Sequence, residues 1–120
     1  MSKPRPISPD ATLNRYTLRF QELKQELQAL DFFCKGTVLK RMMTCGRPHC
    51  ACHRDPAKRH GPYFEWTYKA KGTTINVRLS AQSAPLYQAA ARQYRRLKTT
   101  LQRLERLSRT ALAYRAKKTK

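Results

Sequence analysis

Three cysteines and one histidine lie within 16 residues of one another, and this cluster limits the possible folds more than any other feature of the sequence. Cys45, Cys50, Cys52 and His60 occur in the stretch TCGRPHCACHRDPAKRHGPY. Thiolate sulfur and imidazole nitrogen are the ligands that commonly fill the tetrahedral shell of Zn²⁺. We therefore expect these four side chains to bind one zinc ion. A shell of four protein ligands leaves no position for water or substrate, so the ion is expected to stabilise the loop and not to catalyse a reaction.

The spacing leaves the fourth ligand open, because it is not the familiar pair of CxxC arms. His49 and His53 lie inside the loop and compete with His60. We favour His60 because it stands at the start of a predicted hairpin, where a metal bond would join the loop to the strands. Cys34 is isolated and is expected to be a buried apolar side chain. Gly46 follows the first thiolate and is expected to let backbone N–H groups turn toward its sulfur.

A first long helix is predicted before the loop. Ser8, Pro9 and Asp10 supply an N-cap, a first-turn proline and a first-turn acid, which are typical of a helix start. An apolar side chain then recurs every three or four residues, a coiled-coil type of seam that predicts a helix over residues 9–31. The seam consists of Leu13, Tyr16, Phe20, Leu23, Leu27 and Leu30.

A second long helix is predicted after the loop, over residues 84–116. Ser83 and Pro85 mark its start, and apolar residues again recur at helical spacing almost to the end of the chain. Residues 1–8 are basic and proline-rich and are expected to form a disordered arm, and residues 117–120 form a basic tail. We expect residues 9–116 to form a single zinc-stabilised domain.

The segment between the helices, residues 36–80, is predicted to form three strands and the zinc loop. Residues 37–44 form a weakly patterned strand, and residues 62–69 and 73–80 alternate in a way that predicts a hairpin closed at Gly72. The predicted fold class is therefore α+β: two long helices flanking a three-stranded antiparallel sheet with a zinc-binding loop.

The aromatic residues of the hairpin divide between two faces. Phe64, Trp66 and Tyr68 share one face, which is expected to form the core together with Ile75, Val77 and Leu79. Tyr63 lies on the other face and is the better candidate for stacking on a nucleic-acid base.

The charge balance points to a polyanionic partner. The chain has 26 Lys and Arg residues and 7 Asp and Glu residues, a formal net charge of +19, and its sequence pI is about 10.6. Such an excess attracts phosphate backbones, so we expect nucleic acid, DNA or RNA, as the partner. No apolar run is long enough to span a membrane and no secretory signal is evident, so we expect a cytoplasmic protein without a membrane partner. In that reducing compartment clustered thiols favour a metal site over disulfides.

The basic side chains are concentrated in the loop and the second helix. Residues 32–80 carry a net charge of +8 and residues 81–120 of +10, whereas residues 1–31 carry only +1. Loop residues near a net-negative Cys3His zinc shell would partly offset its charge. The candidate nucleic-acid-binding residues are Arg47, Arg54, Lys58, Arg59, Tyr63, Arg92, Arg95, Arg96, Arg103, Arg106 and Arg109.

We expect a binding protein and not an enzyme. Two-metal nuclease chemistry needs clustered carboxylates, but the central segment holds only Asp55 and Glu65, ten residues apart. One alternative is a thiol- or zinc-responsive regulator whose cysteines are freed by oxidation or metal loss. Another is a structural subunit of a nucleoprotein assembly, or a homodimer, formed through the helices. The residue pattern does not distinguish DNA from RNA.

The run CGRPHCAC, followed by HGPYFEW and a glycine hairpin, resembles a family of small basic prokaryotic proteins of unknown function. That family shares a CGxxxCxC and HGPY core, and the likeness covers about residues 35–80. The resemblance implies a zinc site at Cys45, Cys50, Cys52 and His60. It implies no activity.

Overall fold

The computed structural model describes residues 9–119, so the predicted arm over residues 1–8 and the last residue of the predicted tail lie outside the described part. The described residues form two long helices and a three-stranded antiparallel sheet of order β1-β2-β3, which confirms the α+β class. Short 3₁₀ turns occur at Ala51–His53 and Pro56–Lys58. The main elements are α1 (Ala11–Gln28), β1 (Thr37–Met43), β2 (His60–Ala70), β3 (Thr73–Leu79) and α2 (Ala84–Lys118).

The chain divides into two compact units. The helical unit combines the residues up to Asp31 with those from Arg95 onward, and the sheet unit is Phe32–Tyr94. The helix α2 contributes to both units. Within residues 9–119, no helix combines the length and the apolar character that crossing a bilayer requires.

Helix α1 starts at a different cap from the predicted one. Asp10 is the N-cap, and its carboxylate accepts hydrogen bonds from the backbone N–H groups of Thr12 at 3.0 Å and Leu13 at 3.2 Å. The predicted cap, Ser8, lies outside the described residues. A carboxylate in this position pairs N–H groups that have no partner inside the helix. Pro9 therefore precedes the helix and does not lie in its first turn.

In the helical unit, α1 runs antiparallel to the C-terminal part of α2. The Tyr114 hydroxyl donates to both carboxylate oxygens of Asp10, at 2.9 and 2.7 Å, and at the other end the Thr100 hydroxyl donates to Glu26 at 3.4 Å. Leu23 and Leu104 are buried between these contacts. The apolar seam predicted for the first helix is buried or half-buried throughout, so it is the packing side of α1.

In the sheet unit, a two-residue turn closes the hairpin of β2 and β3. Ala70 pairs with Thr73, and the turn residues Lys71 and Gly72 have φ angles of 51° and 76°. Positive φ at both positions is typical of the type I′ turn, whose twist matches that of the flanking strands. The predicted turn is therefore confirmed, with Lys71 as well as Gly72 in the left-handed region.

One face of the sheet forms the core of this unit. The Trp66 ring stacks on Tyr68, with centroids 4.2 Å apart, and lies 5.0 Å from the ring of Tyr87 on α2. Its indole N–H donates to the backbone oxygen of Lys35 at 2.9 Å. Leu79 is buried on the same face. The aromatic stripe therefore packs as predicted, but its rings are half-buried, and Leu79 is the residue of the predicted face that is buried.

The opposite face of the sheet is mostly polar, with Leu39 opposite Glu65 as an apolar exception, and we call it the outer sheet face. Paired residues of adjacent strands project to the same side of a sheet. Arg41 pairs with Tyr63, and Glu65 pairs with Arg78, so these side chains share one face. The residues of this face used below are Arg41, Tyr63, Glu65, Lys69, Asn76 and Arg78.

Candidate metal centre

The cysteine loop connects the end of β1 to the start of β2 and is organised by its two 3₁₀ turns. Cys50 immediately precedes the first turn, and its N–H donates to the Arg47 carbonyl at 3.2 Å. Asp55 caps the second turn, because its carboxylate accepts from the Ala57 N–H at 3.0 Å. The Asp55 carboxylate therefore has a local structural partner, and Glu65 lies 3.8 Å from Arg41 in an ion pair.

A β-bulge at the start of β2 positions His60. The register of β1 and β2 is regular up to Arg41 opposite Tyr63, but the next pair is Met43 opposite His60, so β2 contains one extra residue. Bulges of this kind re-aim side chains next to functional sites, and a glycine with positive φ is one way to form them. Gly61 has a φ of 131° and lies in this bulge. The bulge places His60 opposite Met43, and Met43 precedes Cys45 by two residues in the sequence.

The bulge and the loop bring four potential ligand atoms together. One donor atom from each of Cys45, Cys50, Cys52 and His60 lies within 4.8 Å of every other. The sulfurs of Cys45 and Cys52 are 3.6 Å apart, and the Cys50 sulfur is 3.4 Å from Nε2 of His60.

These separations fit a tetrahedral metal ion. With Zn–S bonds of about 2.3 Å and Zn–N bonds of about 2.0 Å, tetrahedral geometry places two sulfurs about 3.8 Å apart and a sulfur and a nitrogen about 3.5 Å apart. The two observed distances are within 0.2 Å of these values. A disulfide requires a sulfur separation of about 2.05 Å, and all four cysteines of the chain are free thiols. The cluster can therefore hold a metal ion.

The structure selects among the ligands that the spacing left open. His60 belongs to the cluster, whereas His49 and His53 do not, and Cys34 also lies outside it. Burial raises the pKa of the Cys34 thiol, which is half-buried.

The expected role of Gly46 is not observed. Gly46 does not have a positive φ, and a Cβ added there would meet no atom within 4 Å. The backbone N–H groups that donate to sulfurs of the cluster include that of Cys45, which lies 3.3 Å from the sulfur of Cys52, and that of Cys52, which donates to Cys50. Neither contact needs a special backbone conformation at residue 46.

The pKa values of two thiols in the cluster, Cys50 and Cys52, shift in opposite directions. A hydrogen bond from the Cys52 backbone N–H, together with the His60 side chain, lowers the pKa of Cys50 to about 6. Cys52 is only 2 % exposed, and loss of hydration raises its pKa. An N–H group that donates to a thiolate stabilises its negative charge and orients it toward a metal ion.

The basic side chains proposed from the sequence are all at the surface. The four on the loop and the six on α2 are exposed, and Arg109 is paired with Glu105 at 2.6 Å. Tyr63 is half-buried on the outer sheet face. The exposed basic side chains are Arg47, Arg54, Lys58, Arg59, Arg92, Arg95, Arg96, Arg103, Arg106 and Arg109.

Three further arginines lie close to residues of the proposed set only in the folded chain. In the helical unit, Arg19 lines a groove of about 350 Å³ together with Arg103 and Arg106. In the sheet unit, the Arg78 guanidinium lies over the Tyr63 ring, 4.6 Å from its centroid, and Arg41 is the cross-strand partner of that tyrosine. Strand alternation could have placed Arg41 and Arg78 on the face of Tyr63, but no signal in the sequence links Arg19 to α2.

The model of a family described as Domain of unknown function (DUF6788) matches residues 14–89, which include all four cluster residues. No curated protein and no solved structure matches the chain.

Proposed function

The chain belongs to this family, whose function is unknown, and from its own residues we propose that it is a zinc-stabilised nucleic-acid-binding protein and not an enzyme. The observation that carries the proposal is the excess of basic side chains that the fold leaves at the surface. The 7 acidic residues cannot neutralise 26 basic ones. Within residues 9–119, Arg103 and Arg106 have no acidic group within ion-pair distance although they line the same groove. The two guanidinium groups repel each other, and a phosphate backbone would offset that repulsion.

Zinc is the metal we propose for the Cys45, Cys50, Cys52 and His60 cluster. Three thiolates and one imidazole suit this ion, and a complete protein shell gives it a structural task. The ion would join the loop to β2 through His60 and so hold the basic loop side chains in place. We take the same four residues to be the metal site of the CGxxxCxC and HGPY core that related basic prokaryotic proteins share.

The nucleic acid is proposed to bind through its phosphates. Arginine donates bidentate hydrogen bonds to phosphate oxygens, and five of the arginines of α2 lie within 15 residues, Arg92 to Arg106. Contacts of this kind position a polymer without reading its sequence. We place the protein in the cytoplasm, where such polymers are available and thiols stay reduced.

The proposal is tested by metal counting and by salt-dependent binding. Native mass spectrometry of protein purified without added metal should give one zinc per chain. Fluorescence anisotropy with labelled DNA and RNA should give an affinity that falls with salt at a logarithmic slope of about −5, as expected for about six phosphate contacts. Chelation should release the zinc and weaken binding. Absence of salt-dependent binding to any of these polymers would exclude the function, and absence of zinc would exclude the metal.

A thiol-responsive regulator is the second candidate, and the closeness of two sulfurs favours it. The Cys45 and Cys52 sulfurs, 3.6 Å apart, could form a disulfide once the metal leaves. Hydrogen peroxide would take the two electrons, and the thiol protons would leave with the two water molecules formed. Peroxide treatment should then release zinc, lower nucleic-acid affinity and be reversed by dithiothreitol with zinc. Unchanged binding after oxidation would exclude this candidate.

A further inference from the structure

The outer sheet face presents an aromatic ring between two guanidinium groups. Tyr63 lies on the central strand, with Arg41 directly opposite on β1 and Arg78 over its ring from β3. The ring is half-buried and both arginines are exposed. A cation over an aromatic ring is held by the charge distribution of the ring, so the contact with Arg78 orients both side chains.

The same face keeps a positive charge. Its acidic residue, Glu65, pairs with Arg41 at 3.8 Å and is the cross-strand partner of Arg78, so two guanidinium groups offset its carboxylate. Lys69 is exposed on the same face of β2, four residues beyond Glu65. The polar amide of Asn76, also exposed, is held at 2.8 Å by the Thr67 hydroxyl. A phosphate backbone therefore meets net attraction on this face, and a base meets a ring and polar groups.

We propose that the outer sheet face binds single-stranded nucleic acid. A base replaces the Arg78 guanidinium on the Tyr63 ring, and Arg41 and the displaced Arg78 contact the phosphates on either side. The proposal rests on the proposed function and names the form of the polymer. Bases of a single strand can be splayed out and stacked on an aromatic side chain, whereas bases of a duplex are already covered on both sides by their neighbours. A ring set in a sheet surface can therefore be used by a single strand and not by an intact duplex.

The metal centre lies at the end of this face. The bulge pairs His60 with Met43, and Met43 is two residues beyond Arg41 on β1, so the metal-binding loop begins where the outer sheet face ends. The loop that starts there carries four exposed basic side chains. The loop basic residues are Arg47, Arg54, Lys58 and Arg59.

The test compares two polymers and two kinds of variant on the full-length zinc-bound protein. Anisotropy is measured with a fluorescein-labelled oligodeoxythymidine of about 16 nucleotides and with a duplex of the same length. Tyr63→Leu removes the ring, Tyr63→Phe keeps it, and Phe32→Leu is the matched control because Phe32 is an exposed aromatic residue in the same unit but not on the outer sheet face. Zinc content and Trp66 fluorescence report whether each variant is folded, since Trp66 is the only tryptophan and lies in the core of this unit.

Stacking on one base predicts that Tyr63→Leu weakens oligodeoxythymidine binding by about 5- to 150-fold. The affinities of Tyr63→Phe and Phe32→Leu for oligodeoxythymidine should stay within about 2-fold of that of the unchanged protein. The affinity of every variant for the duplex should also stay within about 2-fold. Arg78→Gln should reduce the salt slope by about 1 for the single strand. Arg78→Gln tests the same face independently if Tyr63→Leu does not fold.

Three results overturn the proposal, and they distinguish its failure from failure of the proposed function. If Tyr63→Leu and Arg78→Gln leave single-strand binding unchanged while the protein still binds nucleic acid in a salt-dependent way, the outer sheet face is not the site and the proposed function stands. The same holds if they weaken duplex and single strand equally. If the unchanged protein binds none of the polymers, the proposed function itself fails and this proposal fails with it.

Discussion

Replacing His60 tests the metal centre most directly, because the chain offers two histidines as matched controls. His60→Gln removes the only ligand of the cluster that belongs to β2, whereas His49→Gln and His53→Gln change exposed histidines of the same loop that lie outside the cluster. All three substitutions remove one imidazole and leave the four cysteines in place. A difference between them therefore measures ligation and not a general effect of the loop.

The expected magnitude follows from the number of ligands. Structural zinc sites bind with about 10–16 kcal/mol at pH 7, so one of four ligands contributes on average about 3 kcal/mol. That loss corresponds to an affinity lower by about 150-fold. In a domain of about 60–100 residues, 1 kcal/mol shifts the melting temperature by about 4–8 °C, so His60→Gln should lower that of the zinc-saturated sheet unit by about 12–24 °C.

The assay is a zinc titration against a chromophoric chelator, combined with thermal unfolding followed through Trp66. His49→Gln and His53→Gln should keep the unchanged affinity and melting temperature within error. The reasoning would be refuted if His60→Gln kept its zinc affinity, or if His49→Gln or His53→Gln lost as much as His60→Gln. The first result would mean that three thiolates and water suffice, and the second that a different histidine moves into the shell.

Three further predictions concern residues around the site and in the helical unit. Tyr114→Phe should lower the free energy of unfolding of the helical unit, measured in urea. The Tyr114 hydrogen bond lowers the pKa of Asp10, so it stabilises the ionised carboxylate. The stability lost in the variant should therefore be largest above a pH of about 4 and should shrink as the pH falls through the lowered pKa. Gly61→Ala should cost about 1–3 kcal/mol and weaken zinc binding, because φ is 131° and the new Cβ would lie 2.8 Å from the Arg41 carbonyl, whereas Gly46→Ala should leave zinc affinity unchanged. Leu104→Ala, at a side chain 7 % exposed, should lower the free energy of unfolding by about 2–4 kcal/mol in circular dichroism melts and leave zinc affinity unchanged. A chelator titration that gave Gly46→Ala the weaker zinc affinity of the two glycine variants would contradict the account of the bulge.

Local patterns in the chain were sufficient to predict most of the elements. Alternation along residues 62–80 predicted the hairpin and the face on which the rings around Trp66 pack, because side chains of a strand point to opposite faces in turn. Heptad spacing predicted the side of α1 that packs. The set of four clustered donor atoms was also predictable, since thiols and imidazoles so close in sequence are typical of a metal site.

Capping was less predictable because several residues near a helix start can serve. Ser8 and Asp10 both have side-chain oxygens that accept hydrogen bonds, and the choice depends on which oxygen reaches the free N–H groups. Asp10 also accepts from Tyr114, 104 residues away, which no local pattern contains. That long-range contact holds the cap of α1 against α2.

The sequence by itself determined which side chains could bind a metal and a polyanion, because residue type and spacing set the available chemistry. The tertiary structure decided which of them meet. His60 reaches the cysteines through a bulge that shifts the register by one residue, and a one-residue shift reverses the face on which a side chain projects. Arg19 meets Arg103 and Arg106 because α1 packs antiparallel to α2. Both are consequences of pairing between distant segments, which local periodicity does not contain.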